Sequence, residues 1–376
     1  MYKPSCGSPG HRRSKVVFWY PSLLAGFLLV AGAVFAGGPP AAVLDKQQAK
    51  VKRVMGIQED VTPFLMVSED VLGTATGVDE DGEVVLVVYV NQRGKAMAEL
   101  VRALPKAIRG APVVVETTEP FRALRRVKTP SVEVSHTAPQ ASPIQLGTSG
   151  GWGQDLANGY CCGGTLGALV EIDGAQHILS NYHVFEADIV PGGNGDVATT
   201  GDPVLQPGLI DVSCNAGGAQ AVATLVMSTS LPGSNVDAAV ARVVPGMVSP
   251  DGAILEIGVL SAQTADASLR QKVKKSGRTT GLTRSTVSGL NATLSVAYDD
   301  ECAGGTAFTK VFTGQIVVKN RDSSFLAGGD SGAVLVEDVA ADPRAVGLLY
   351  AGSSTLAVAN PIDDVLQFLG ATMVGQ

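Results

Sequence analysis

Near the C-terminal end of this chain, Gly329-Asp330-Ser331-Gly332 stands inside the run Leu326 to Ala333 and would set a serine hydroxyl in a tight turn beside backbone amides. Glycine in such a turn lets the N–H groups of Gly329 and Ser331 reach one point unobstructed, the point where an oxyanion forms when a carbonyl is attacked. Gly, Asp and Ser also favour ordinary surface turns, so the serine needs company. A serine nucleophile requires a base, and the base an orienting carboxylate. Both residue types are present. His183 follows the apolar stretch Ile178-Leu179 within Ile178–Phe185, and Asp237 opens the apolar run of Asn235–Ala241. Of the other histidines, His177 alternates within a predicted strand and His136 lies in a polar stretch, neither beside a second motif.

The order His183, Asp237, Ser331, with these separations, resembles that of the trypsin-like (chymotrypsin-fold) serine peptidases, and the resemblance covers residues 143–376. It implies a mostly β fold of two six-stranded antiparallel barrels, with His183 and Asp237 from the first and Ser331 from the second. His183 would take the Ser331 proton, Asp237 would fix the imidazole, and Gly329 and Ser331 amides would hold the oxyanion. Polypeptide is the implied substrate, lying on the strand Tyr350-Ala351-Gly352. Phe325, six positions before the serine, would floor the main specificity pocket, with Ala327 where many relatives carry cysteine. No buried acid stands there, although Asp322 is near in sequence, so a small or apolar side chain is expected over Lys or Arg. Ala333 departs mildly from the usual Gly-Asp-Ser-Gly-Gly.

Lys275–Thr283, containing Gly-Arg-Thr-Thr-Gly-Leu-Thr, resembles a motif of a bacterial and plant subgroup of these proteins; physically it reads as strand, Thr-Gly turn, strand, a mark of ancestry more than of mechanism. No Arg-Ile-Val-Gly-Gly processing site occurs, so a new N-terminus paired with Asp330 is not expected. Two alternatives share the motifs: a catalytically silent peptide-binding protein, and an esterase using the same three residues.

Strands positioning these groups are predicted at Gly163–Val170 and Gln176–Leu179 around an Asp173-Gly174 turn, then at Ala333–Val336 and Val346–Gly352, with a closing helix at Asp363–Leu369. The 45 glycines and 20 prolines among 376 residues favour short strands and tight turns. Upstream, helical spacing over Gln47–Phe64, a strand at Val84–Val90, an amphipathic helix at Met97–Leu104 and a strand at Ala111–Glu116 predict a small α+β domain over 45–127. A linker, 128–142, would follow. Arg125-Arg126 and the Pro/Ser/Thr-rich stretch after it read as cuttable, leaving the upstream domain as pro-region, docking element or spacer.

Arg12, Arg13 and Lys15 precede an apolar stretch from Val16 to Ala36, so residues 1–36 read as a signal peptide or signal-anchor. Export follows, either secreted or to a periplasm or cell envelope, with transient membrane association, or anchoring if the signal stays. Cys161, Cys162, Cys214 and Cys302 would remain after loss of Cys6; neighbours bridge poorly, so Cys161 and Cys162 would pair one each with Cys214 and Cys302. No zinc-ligand spacing occurs, and Asp299–Glu301 reads as a solvated loop, so neither metal nor cofactor is expected. A net charge of −7 without a long basic run gives no reason for a nucleic-acid partner.

Overall fold

A computed structural model describes residues 42–95, 97–123, 134–157, 160–186, 198–298 and 308–376. The expected signal segment 1–36, Arg125-Arg126, Asp299–Glu301 and Cys302 lie outside the described residues. Helix α1 (Ala49–Leu65) turns Val51, Val54 and Ile57, at helical spacing, into one core cluster with Leu86 and Val88. Those partners sit on strands β1 (Val71–Val78) and β2 (Val84–Asn91), which pair antiparallel. Helix α2 (Met97–Ala103) then returns the chain to β3 (Ala111–Thr118), parallel to β2 as such a crossover requires, and the short β4 (Phe121–Ala123) follows.

The first barrel-like body contains β5 (Thr148–Trp152), β6 (Gly164–Leu166), β7 (Ala168–Ile172), β8 (Ala175–Ser180), β9 (Pro203–Gln206), β10 (Gln220–Val226) and β11 (Ala239–Val243). They hydrogen-bond in the order β6-β5-β9-β10-β11-β8-β7. The β7–β8 hairpin turns at Asp173 and Gly174, both at positive φ (50° and 74°), the geometry that a two-residue turn between twisted strands demands. A one-turn helix, α3 (Tyr182–Phe185), caps β8.

The second body uses β12 (Lys272–Gly277), β13 (Gly281–Tyr298), β14 (Phe308–Lys319), β15 (Val334–Glu337), β16 (Ala345–Gly352) and β17 (Leu356–Pro361), in the order β12-β15-β16-β17-β14-β13. Because β13 also pairs with β12, these six antiparallel strands close on themselves. The molecule is thus mostly β, with two antiparallel barrel-like bodies, and α4 (Ile362–Leu369) follows the last of them.

β13 and β14 are 18 and 12 residues long and overrun their barrel. The overrun receives β1, with Gly73 opposite Leu294 and Thr76 opposite Leu290, so the sheet runs on from β13 into β1, β2 and β3. Residues 41–376 form one compact unit. Within the stretch expected as a linker, His136 is buried, its Nε2 2.6 Å from Glu256 Oε2 and its Nδ1 2.8 Å from the Gly147 carbonyl. Cys161 bridges Cys214, as the spacing argument expected of one of the two neighbours, and Cys162 is also disulfide-bonded.

At the β1–β13 junction the two backbones nearly touch, for a Cβ on Gly73 would lie 2.2 Å from the Thr293 carbonyl oxygen. Replacing Gly73 by Ala should therefore cost about 1–3 kcal/mol through overpacking, read as a lowered midpoint in thermal unfolding; an unchanged midpoint would show that the junction gives way freely.

Candidate active site

β8 and β11 are antiparallel neighbours with Ser180 opposite Ala239. The residues just past Ser180 and just before Ala239 consequently emerge at the same end of the pair, which is where His183 and Asp237 stand. His183 Nδ1 donates to Asp237 Oδ2 over 2.6 Å, and the His183 amide lies 3.4 Å from Oδ1, both residues being buried. Asn181 Nδ2 donates to the Asp237 carbonyl at 2.7 Å, and the Asp237 amide donates to Asn360 Oδ1 at 2.9 Å. Asn360 is held in turn by Gln315, its Nδ2 donating to Gln315 Oε1 at 2.7 Å. The aspartate of the first barrel is therefore fixed from strands of the second.

Ser331 lies in a turn between Gly329 and Gly332, both at positive φ (94° and 92°), a backbone region that side chains avoid. Space enforces the same choice, since a Cβ on Gly332 would meet Ser180 Oγ and the Thr165 carbonyl at 2.3 Å each. This turn packs on the strands that lead to His183. The Thr165 amide donates to the Ser331 carbonyl at 2.8 Å, and a Cβ on Gly164 would touch both Val184 (2.6 Å) and the Ser331 carbonyl oxygen (2.8 Å). Thr279 Oγ1 holds the Gly328 carbonyl at 2.6 Å and the Ala333 amide holds the Asp330 carbonyl at 3.0 Å. In a planar trans peptide the N–H points opposite to the C=O, so these two bonds set the directions of the Gly329 and Ser331 amides.

Behind the turn, Asp330 is fully buried and accepts from the amides of Thr279 (2.8 Å), Thr280 (3.1 Å) and Ala327 (3.0 Å) and from Thr280 Oγ1 (2.7 Å). Lys275 Nζ, also fully buried, is 3.4 Å from Asp330 Oδ2, donates to the Gly281 carbonyl at 2.9 Å and contacts Thr280 Oγ1. Burial pushes the Lys275 ammonium down in pKa, and Asp330 opposes that shift. The β12–β13 hairpin, expected from the sequence to bear on ancestry more than on mechanism, is thus the socket of the serine turn. Its Arg278 makes a two-pronged pair with Asp211 of the first barrel, Nε to Oδ2 at 2.7 Å and Nη2 to Oδ1 at 2.5 Å.

A residue with no sequence signal also enters the site. Tyr298, at the end of β13, donates its hydroxyl to Asp237 Oδ2 at 2.8 Å, and its ring lies edge-on to His183 with centroids 6.0 Å apart. Burial and the Asp237 charge push that hydroxyl well above the usual phenol range, so it stays a donor. The Tyr350 carbonyl is 3.4 Å from Ser331 Oγ, which places strand β16 beside the serine. Ala351 and Gly352 of that strand are already paired: antiparallel to them runs β4, with Ala123 opposite Ala351 and Arg122 opposite Gly352.

Beside the serine turn is a cavity of about 280 Å³, walled by Ala327, Gly328, Gly352 and Ser353 and, from the N-terminal region, by Arg93, Glu119 and Arg122. Phe325 does not line it; that ring is buried in the core of the second barrel with Val273 and Leu335 and borders another cavity, near Arg284 and Lys319. Asp322 is exposed and does not line it either. His177 is remote from the pair, its Nδ1 on its own strand at the Ala175 carbonyl. Among the described residues no cluster of three His, Cys, Asp or Glu side chains is arranged for a metal ion, and no helix is long and apolar enough to cross a membrane.

The sequence matches no protein-family model, and no curated sequence resembles it significantly. Similar solved structures are bacterial chymotrypsin-like serine proteases. One is a glutamic acid specific serine protease that uses a histidine triad in substrate binding, 21% identical, matched over 61% of this chain and 100% of its own at a TM-score of 0.41. Thermobifida fusca Protease A is 18% identical over 62% of this chain and 99% of its own, with a TM-score of 0.39. Cellulomonas bogoriensis chymotrypsin is 20% identical over the same shares, 62% and 99%, also at 0.39.

Proposed function

We propose that the chain is an exported serine endopeptidase that cleaves peptide bonds through Ser331, His183 and Asp237. The observation that carries this reading is the buried 2.6 Å contact between His183 Nδ1 and Asp237, at the end of the strand pair against which the Ser331 turn packs. A hydrogen bond from Nδ1 to a carboxylate leaves Nε2 as the basic nitrogen of a neutral imidazole. As Ser331 Oγ attacks a carbonyl carbon, its proton passes to Nε2, and the charge appearing on the carbonyl oxygen is met by the amides of Gly329 and Ser331. Collapse of the tetrahedral species breaks the C–N bond, the Nε2 proton leaves with the amine, and water then releases the acyl group from Ser331 by the same steps in reverse.

Tyr350, Ala351 and Gly352 are the strand on which the substrate backbone would lie. Around the adjoining cavity, the serine loop and β16 contribute only small, uncharged walls, which suits a small or apolar substrate side chain; its charged walls belong to the N-terminal region. That region, here proposed as a pro-region over residues 45–127, lays β4 along Ala351 and Gly352 and so competes with substrate for them. The leading segment with Arg12, Arg13 and the apolar stretch to Ala36 supports export to the cell envelope or beyond.

A fluorophosphonate probe should label the full chain on Ser331 and leave Ser331→Ala unlabelled, and His183→Ala should cut turnover by ~10⁴-fold or more with folding kept; a label that persists on Ser331→Ala removes the reading. Hydrolysis of esters without cleavage of unfolded proteins would assign the same groups to an esterase. For the N-terminal region, a specific cleavage sequence placed within residues 127–130 allows the labelling rate to be compared before cutting and after removal of the N-terminal fragment. The rate should rise at least tenfold; equal rates would mean that β4 does not obstruct the site.

A further inference from the structure

We propose that Tyr298 is a positioning residue for the reaction, its hydroxyl fixing the Asp237 carboxylate and thereby setting the pH range over which His183 accepts the Ser331 proton. The inference rests on the triad reading above. Asp237 Oδ2 receives two donors, His183 Nδ1 at 2.6 Å and the Tyr298 hydroxyl at 2.8 Å. Both reach it from different barrels, His183 from α3 and Tyr298 from β13. With two donors converging on one oxygen, the carboxylate cannot rotate about its Cβ–Cγ bond without losing both bonds. Its negative charge is at the same time shared between the imidazole and the phenol.

The ring of Tyr298 is itself clamped. Phe308 stacks on it with centroids 4.8 Å apart and planes 6° from parallel, and Phe312 lies tilted at 6.4 Å, itself 4.9 Å from Tyr350. An aromatic side chain buried for packing alone would not need its hydroxyl at a carboxylate, and a buried phenol in any other orientation would need another partner. The other titratable groups that face Asp237 are Tyr182 and His183 from α3, Glu186 just beyond it, and Tyr350 from β16. The Asp237 carboxylate is hydrogen-bonded by His183, through its ring and its backbone amide, and by the Tyr298 hydroxyl.

Replacing Tyr298 by Phe keeps the clamped ring and removes the donor. The Asp237 charge is then less shared, which favours the cationic imidazole, so the acid limb of the kcat/KM profile should move up by about 0.5–1 pH unit. Per labelled site, kcat should fall about tenfold with KM within about twofold. 3-Fluorotyrosine at 298, a stronger donor of nearly the same shape, should move the limb down, and it tests the same point should Tyr298→Phe not fold. Tyr89→Phe, which removes a buried phenol hydroxyl from β2, should leave the limb in place. A purely structural role would lower the melting temperature or the labelled fraction without moving the limb. An enzyme labelled normally at Ser331 whose acid limb stays put in the 298 variants overturns this inference alone, whereas labelling that survives Ser331→Ala overturns the triad reading beneath it.

Discussion

A carboxylate with no exposure to water has to be matched by donors inside the protein, and Asp330 is such a carboxylate. Apart from the Ala327 amide, its compensating groups all come from one hairpin: the amides of Thr279 and Thr280, the Thr280 hydroxyl and the Lys275 ammonium. Lys275 is equally buried, so each charge needs the other, and removing one partner of such a pair costs about 3–5 kcal/mol. Since Asp330 immediately precedes Ser331, the demand for these donors also fixes where the serine turn can lie. An internal lysine thereby supplies a positive partner for Asp330 within the chain itself.

Each half of the site is anchored in the other barrel. Asp237 belongs to the first barrel, yet its amide is held by Asn360 and its carboxylate by Tyr298, both of the second. The Ser331 turn belongs to the second, yet its backbone is held by Thr165, with Arg278 of its socket paired to Asp211 of the first. Arg278 also donates its backbone N–H to Thr165 Oγ1 at 3.0 Å, so one residue touches two of the first-barrel elements that support the turn. Small relative displacements of the barrels are resisted by directional bonds as well as by apolar packing.

What the sequence disclosed, and what it hid, follows from the range of the interactions. His183, Asp237 and Ser331 carry local signals, a strand end or a glycine-bounded turn, and the expected strands at 163–170, 176–179, 333–336 and 346–352 correspond to β6 with β7, β8, β15 and β16. Tyr298, Asn360 and Thr165 carry none, because each reaches the site through strand pairings tens to hundreds of residues away in the chain. Phe325 shows a different limit: counting back from the serine fixes a distance along the chain, but not the side to which a ring turns, and the core of the second barrel takes it. The Gly-Arg-Thr-Thr hairpin was legible as a hairpin; its role is visible only once Asp330 is seen within it.

β4 pairs on both flanks, parallel to β13 at Val296 and Ala297 and antiparallel to β16 at Ala351 and Gly352. Taking those three residues away would uncover two strand borders at once, each a row of backbone donors and acceptors seeking a complement. Any extended polypeptide entering the slot could be sewn in along both sides, irrespective of its side chains. The same slot, if vacated, would also be a template for self-association, whereas β4 in place closes both borders to a second copy of the chain.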